Sequence, residues 1–271
     1  MHNQSARIEN EFNQGKVLIF LSPEIDGTLL FFKAMPISET LNTDCLLYLK
    51  DIPDNHFDLS LVDPPYGINA PLMSATPCQR INGNKRLNGG SGKLKDRVLN
   101  TSSCEWDNAI PTEEYFSELF RVSKQQIIWG GNYFPLPPTR CIICWDKVQP
   151  WENFSQIEYA WTSFDYPAKL FRFDNRTGGK IHPTEKPIAL YKWLLTNFAK
   201  QEDKIFDSHL GSGSSRIAAW DLGFDFYGCE LDKDYHEAQE KRFQNHIKQQ
   251  SLFTFSEQVE PKDEIIQKTL F

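Results

Sequence analysis

The chain has 271 residues, of which 40% are hydrophobic and 13% aromatic, and its formal net charge is −7. This composition supports a hydrophobic core and excludes a disordered chain, and no apolar run reaches the roughly 18 to 20 residues of a membrane-spanning helix. The N-terminus lacks the order of basic and then apolar residues that marks a signal peptide, so a cytoplasmic protein is expected. Its six cysteines are scattered, and only Cys141 and Cys144 have C-x-x-C spacing, so neither disulfides nor a metal site are predicted.

Apolar runs of strand length alternate with amphipathic helical stretches, which predicts an α/β fold. Seven strands are expected, and they start at Cys45, Phe57, Gln126, Arg140, Ile157, Lys204 and Asp225. Helices are expected over "PTEEYFSELFRVSK" and "KPIALYKWLLTNFAK", after Gly213 and after Asp232. We therefore predict one doubly wound, mostly parallel, seven-stranded sheet over residues 41–245, with an N-terminal extension (1–40) of unknown role and a polar tail (246–271).

The charge is unevenly distributed along the chain. Between Ile68 and Ser103, six basic residues stand against one acid, although the whole chain is acidic. This segment is also rich in Gly, Asn and Ser, which predicts a flexible basic loop. We interpret it as a loop that contacts phosphates, the simpler alternative being a solvated loop with no partner. Its basic residues are Arg80, Lys85, Arg86, Lys93, Lys95 and Arg97.

A glycine-rich turn connects a predicted strand to a predicted helix in "KIFDSHLGSGSSRIAAW". Gly211 and Gly213 leave the backbone bare where a ligand approaches, and Glu230 ends the next strand, where an acid can accept both hydroxyls of a ribose. Arg216 stands where a dinucleotide-binding fingerprint has its third glycine, which argues against a nicotinamide cofactor. The pattern predicts a site for a nucleoside cofactor.

The stretch "LVDPPYGI" (61–68) ends an apolar run with an acid, two prolines and a tyrosine. Alone, it is typical of a strand that enters a proline turn. Together with "DSHLGSG" (207–213), it resembles the S-adenosylmethionine-dependent DNA amino-methyltransferases. "HPTEKP" (182–187) resembles a third motif of that family, and the D-P-P-Y motif precedes the glycine turn, as in the family's β-class. The resemblance covers roughly residues 41–245 and implies a Rossmann-like methyltransferase fold with circularly permuted motif order.

The resemblance implies catalytic roles for Asp63, Pro64, Pro65 and Tyr66. The Asp63 carboxylate and the Pro64 carbonyl would accept hydrogen bonds from an exocyclic amine, and the two prolines would hold these acceptors rigidly. The Tyr66 ring would stack on a base that has swung out of the duplex. An aspartate at the first position favours adenine N6 over cytosine N4 by resemblance, and cytosine-N4 transfer is the alternative.

The same resemblance implies S-adenosylmethionine as the cofactor. Asp44 is expected to contact the adenine amine, and Thr184 and Lys186 to contact the cofactor's carboxylate. His209 stands where the family commonly has an aromatic residue, so a non-catalytic DNA-binding protein with the same fold is the second alternative. The expected cofactor-binding residues are Asp44, Cys45, Thr184, Lys186, Asp207, His209, Gly211, Ser212, Gly213, Ser215 and Glu230.

Double-stranded DNA is the expected partner. Besides the basic loop, residues 147–180 occupy the place of a target recognition segment, where cations and aromatic rings alternate. The cations in this segment are Arg172, Arg176 and Lys180. A second copy of the chain is a further candidate partner. A bacterial sliding clamp is another, because Gln249 to Phe253 ("QQSLF") and the terminal "QKTLF" resemble clamp-binding peptides; a helix-end hydrophobic cap is the simpler interpretation.

Overall fold

Eight strands form one sheet in the computed structural model, which describes residues 35–68, 107–149, 155–174, 181–182 and 184–257. The strands are β1 (Ser38–Asn42), β2 (Phe57–Val62), β3 (Ser123–Trp129), β4 (Ile142–Asp146), β5 (Ile157–Thr162), β6 (Lys169–Arg172), β7 (Lys204–Asp207) and β8 (Asp225–Glu230). Their order is β1-β8-β7-β2-β3-β5-β4-β6. Only β5 runs against its neighbours, so the sheet is mostly parallel as expected.

Five α-helices connect or flank these strands in the described residues. They are α1 (Cys45–Lys50), α2 (Glu113–Val122), α3 (Ile188–Phe198), α4 (Ser214–Leu222) and α5 (Lys233–Glu257). Helix α2 begins where expected, because the Thr112 hydroxyl accepts a hydrogen bond from the Tyr115 N–H. Helix α5 extends through the first part of the predicted tail and includes residues 249–253, the first of the two segments that resemble clamp-binding peptides. In the described part of the chain, no helix combines the length and the apolar character that crossing a membrane requires.

The prediction of a strand at Cys45 is wrong, because this segment is helix α1. The Asp44 side chain accepts hydrogen bonds from the N–H groups of Leu46 (2.7 Å) and Leu47 (3.4 Å), which starts a helix. Within the helix Leu49 is fully buried while Leu47 is 64% exposed. The cap therefore outweighs the apolar run. The prediction of seven strands is also wrong, because the sheet has eight and the prediction did not include β1 and β6.

The hydrophobic core lies on both faces of the sheet. Alternate residues of β3 divide between the two layers: Ile127 and Trp129 pack with α3 and α4, and Ile128 packs with α1 and α2. Strands with both faces covered have to be apolar throughout, which explains the continuous apolar runs in the sequence. This packing leaves the ends of the strands as the place for polar chemistry.

Candidate active site

Four neighbouring parallel strands end at one edge of the sheet, and residues singled out by the sequence lie there. Asp63 follows β2, Asp207 ends β7 and Glu230 ends β8, while Gly130 follows β3. Ligands of open α/β sheets bind outside the carboxyl ends of the strands. The fold therefore brings the D-P-P-Y motif and the glycine turn to adjacent positions, since β2 and β7 are paired.

The proline corner is held by a carboxylate that the sequence did not single out. Asp107, which is 1% exposed, accepts hydrogen bonds from the backbone N–H groups of Tyr66 (2.6 Å) and Gly67 (2.9 Å) through one oxygen. Asp107 follows the basic loop in sequence, so only the tertiary fold shows this contact. The two bonds fix the backbone immediately after Pro64 and Pro65.

The side chain of Tyr66 points back into its own motif. Its hydroxyl donates a 2.6 Å hydrogen bond to Asp63 Oδ1, and its ring stacks on Tyr133 with centroids 4.8 Å apart. A side chain at Gly130 would force this ring to move, because an added Cβ would lie 2.3 Å from it. Burial and the nearby Asp63 carboxylate raise the pKa of Tyr66 well above its ordinary value, so the hydroxyl remains a donor at neutral pH.

Lys186 lies at the proline corner. Its Nζ is 2.5 Å from Asp63 Oδ2, 3.2 Å from Glu158 Oε2 and 3.3 Å from the Tyr66 hydroxyl. Burial alone lowers the pKa of Lys186, but Asp63 and Glu158 outweigh that effect and raise it. The resemblance implies a place for Lys186 at the carboxylate of a cofactor; in the structure its ammonium group pairs with the catalytic candidate Asp63.

Glu158 is the second residue that sequence reasoning missed. It is the only acid in the apolar run of β5, and it pairs with Lys147 as well as with Lys186. Burial raises the pKa of Glu158, but the two lysines outweigh burial and lower it to about 2. Glu158 is therefore a carboxylate at any pH near neutrality.

The glycine turn is built around Asp207 and Glu230. Asp207 accepts hydrogen bonds from the His209 N–H (3.0 Å) and the Ser215 hydroxyl (2.6 Å), and Glu230 accepts from the Gly211 N–H (2.8 Å). Burial raises the pKa of Asp207 to about 7, and burial also raises the pKa of Glu230. The backbone at Gly211 and Gly213 is left-handed, with φ of +50° and +71°. These residues form the turn that the sequence predicted.

A short chain of hydrogen bonds supports the other side of the turn. Tyr115 Oη lies 2.7 Å from Ser208 Oγ, which lies 2.8 Å from His209 Nδ1. His209 Nε2 is 3.9 Å from the Cys45 sulfur. Burial lowers the pKa of His209 to about 4 and raises the pKa of Cys45 to about 12. Both groups are therefore neutral near pH 7.

The "HPTEKP" segment is tied to the glycine turn by an arginine from α5. Arg242 donates to the Ser212 carbonyl (2.8 Å) and to Glu185 (3.0 Å). Thr184 is exposed, and its hydroxyl lies 3.1 Å from His182 Nδ1. Asp44 is exposed as well and caps α1 at the same edge of the sheet.

The predicted DNA contacts fall mostly outside the described residues. All six cations of the basic loop lie there, as do Arg176, Lys180 and the terminal "QKTLF". Arg172 is described: it is exposed on β6 and pairs with Asp146 at 2.9 Å. The contact of these residues with DNA stays a prediction.

Comparison with known proteins gives matches to DNA methylases. A family model described as "DNA methylase" matches residues 143–241. The Type II methyltransferase M.HinfI of Haemophilus influenzae is 24% identical over 258 residues, covering 76% of this chain and 69% of that protein. The Type II methyltransferase M2.LlaDCHI of Lactococcus lactis subsp. cremoris is 25% identical over 146 residues, covering 54% of this chain and 51% of that protein.

Solved structures also align with much of this chain. The M1.HpyAVI complex with SAM aligns with a TM-score of 0.48 at 18% identity, covering 75% of this chain and 98% of that chain. The PvuII cytosine-N4-specific DNA methyltransferase aligns with a TM-score of 0.49 at 13% identity, covering 77% of this chain and 87% of that chain. The family model and the curated relatives, rather than these structural alignments, show that this chain is similar to the DNA methylases.

Proposed function

We propose that this chain transfers a methyl group from S-adenosylmethionine to the N6 amine of adenine in DNA. The observation that carries the proposal is the pairing of β2 with β7, which puts the Asp63-Pro64-Pro65-Tyr66 corner beside the glycine turn at the carboxyl edge of the sheet. A site for a base amine and a site for a nucleoside cofactor then share one cleft edge.

The residues of the glycine turn fit the proposed cofactor chemically. Each Glu230 oxygen accepts one backbone N–H, from Gly211 or from Asp232, and each retains a lone pair for a ribose hydroxyl. Gly211 and Gly213 leave the backbone bare beside it. The Glu230 carboxylate adds negative charge at this edge, which suits a ligand that carries a sulfonium and an ammonium group. S-adenosylmethionine would supply an electrophilic methyl group there.

Asp63 and Pro64 have the chemistry to hold the target amine. The lone pair of an exocyclic amine is delocalised into the base, so the nitrogen needs two acceptors more than it needs a strong base. The Asp63 carboxylate and the Pro64 carbonyl provide them, and their attraction for the amine grows as positive charge develops on nitrogen. The Asp107 hydrogen bonds and the two fixed proline φ angles hold these acceptors in place beforehand.

Tyr66 has two functions in this proposal. Its ring offers a face on which an extruded base can stack, in place of Tyr133, which covers that face now. Its hydroxyl holds Asp63 Oδ1 until the amine arrives. The basic loop (68–103) and residues 147–180 are the proposed contacts with the DNA backbone and target.

The test is to incubate the full chain with isotopically labelled S-adenosylmethionine and unmethylated DNA, and to hydrolyse the product to nucleosides. We expect label in N6-methyldeoxyadenosine. Label in N4-methyldeoxycytidine would assign the alternative base, and no label despite cofactor binding would contradict transfer to DNA. Sequencing that detects methylated bases would locate the target site in the same DNA.

A further inference from the structure

Lys186 is enclosed by three oxygen atoms from three separate parts of the fold. Asp63 follows β2, Glu158 lies on β5, and Tyr66 contributes its hydroxyl from the proline corner. The ammonium group has three protons, and the three contacts of 2.5, 3.2 and 3.3 Å use all of them. The Lys186 side chain is only 2% exposed, so its position is fixed.

The reversed direction of β5 is what brings Glu158 to this place. Ala160 of β5 pairs with Trp129, the last residue of β3, and the Gly130 N–H donates to the Tyr159 carbonyl. The first residues of β5 therefore lie at the edge where the parallel strands end. Glu158, the second residue of β5, therefore lies at the edge that holds Asp63.

The charges of this cluster matter for the proposed reaction. A buried cation paired only with Asp63 would cancel the negative charge that attracts the amine, and would repel the positive charge that develops on nitrogen. Glu158 gives Lys186 a second carboxylate. With Lys147, which pairs with the other Glu158 oxygen, the cluster has two carboxylates and two ammonium groups, so the positive charge of Lys186 beside Asp63 is balanced.

We propose that Glu158 is a positioning residue for methyl transfer, which holds Lys186 beside Asp63 and offsets its charge so that Asp63 stays a strong acceptor for the target amine. The inference rests on the proposed function. A purely structural ion pair is the competing explanation, but buried ion pairs contribute little net stability compared with apolar replacements, so stability alone is a weak reason to place one here.

The inference is tested with Glu158→Gln, Lys186→Met and the double variant, using labelled S-adenosylmethionine and unmethylated DNA. Glu158→Gln should lower kcat by about 10- to 100-fold and change the KM for S-adenosylmethionine by less than about twofold. Glu158→Asp should recover part of the rate, since it retains the carboxylate. In the Lys186→Met background, Glu158→Gln should lower kcat by less than about threefold, because Glu158 acts through Lys186.

A matched control is Glu118→Gln, which breaks an ion pair with Arg121 on α2; the Glu118 side chain is 21% exposed and that of Glu158 25%. This control should keep the wild-type kcat. Full activity of Glu158→Gln, an equal loss in Glu118→Gln, or a full additional loss in the Lys186→Met background would each overturn the inference. A wild-type chain that methylates no DNA would instead overturn the proposed function.

Discussion

The Tyr66 hydroxyl donates a 2.6 Å hydrogen bond to Asp63, three residues earlier in the same motif. The acceptor that should hold the target amine is therefore already engaged by the side chain that should stack on the base. When a base binds, the hydrogen bond from Tyr66 to Asp63 has to be replaced by one from the target amine to Asp63. The ring and the hydroxyl of Tyr66 consequently have separable effects, and substitutions can distinguish them.

Tyr66→Phe removes the hydroxyl and keeps the ring, so methyl transfer should stay within about threefold of wild type. Tyr66→Ala removes the stacking surface, which is worth about 1–3 kcal/mol per base, and should lower single-turnover transfer by about 5- to 150-fold. Initial rates of label transfer to DNA measure both. Equal losses in the two variants would contradict the separation of roles.

Gly130→Ala should impair transfer by displacing Tyr66, because an added Cβ would lie 2.3 Å from the Tyr66 ring. Gly223→Ala is the matched control, since Gly223 has a similar φ (+77° against +71°) at the end of α4. Both variants should lose about 1–2 kcal/mol in the free energy of unfolding from the left-handed backbone. Only Gly130→Ala should also lose transfer activity at a temperature where both are folded; if both retain it, the contact does not position Tyr66.

The stability of the chain should depend on pH through His209, whose pKa is about 4 when folded and about 6.5 when unfolded. Between these values the unfolded chain binds the proton and the folded chain does not, so the free energy of unfolding falls as the pH is lowered. When the pH is lowered from 7 to 5, His209 should reduce the free energy of unfolding by about 2 kcal/mol.

His209→Phe should remove that part of the pH dependence. Urea unfolding of wild type and variant at pH 7 and pH 5 measures the difference, and the remaining titratable groups cancel in the comparison. An equal loss of stability in both proteins on acidification would show that His209 is not held neutral by burial.

The sequence predicted the strand ends well and the tertiary partners poorly. Asp63, Asp207 and Glu230 each follow an apolar run, and consecutive runs of that kind end at one edge of a parallel sheet. The partners of Lys186 were not predictable, since Asp63 is 123 residues away along the chain. Glu158 resembled an ordinary outward-facing acid in a strand, because the sequence gives no sign that β5 is reversed.

Local signals were also misjudged where two of them competed. Five apolar residues from Cys45 favoured a strand, but the Asp44 cap favoured a helix, and the cap decided the outcome. Strands β1 and β6 are short, at five and four residues, and have alternating rather than continuous burial. Edge strands of this kind carry a weak sequence signal.

The most direct test of the central claim compares wild type and Asp63→Ala in two measurements on the same preparations. Calorimetry with S-adenosylmethionine should give dissociation constants within a few-fold of each other, because Asp63 is not part of the glycine turn. Transfer of labelled methyl to DNA should be abolished in Asp63→Ala alone. Near wild-type transfer by Asp63→Ala would contradict the account.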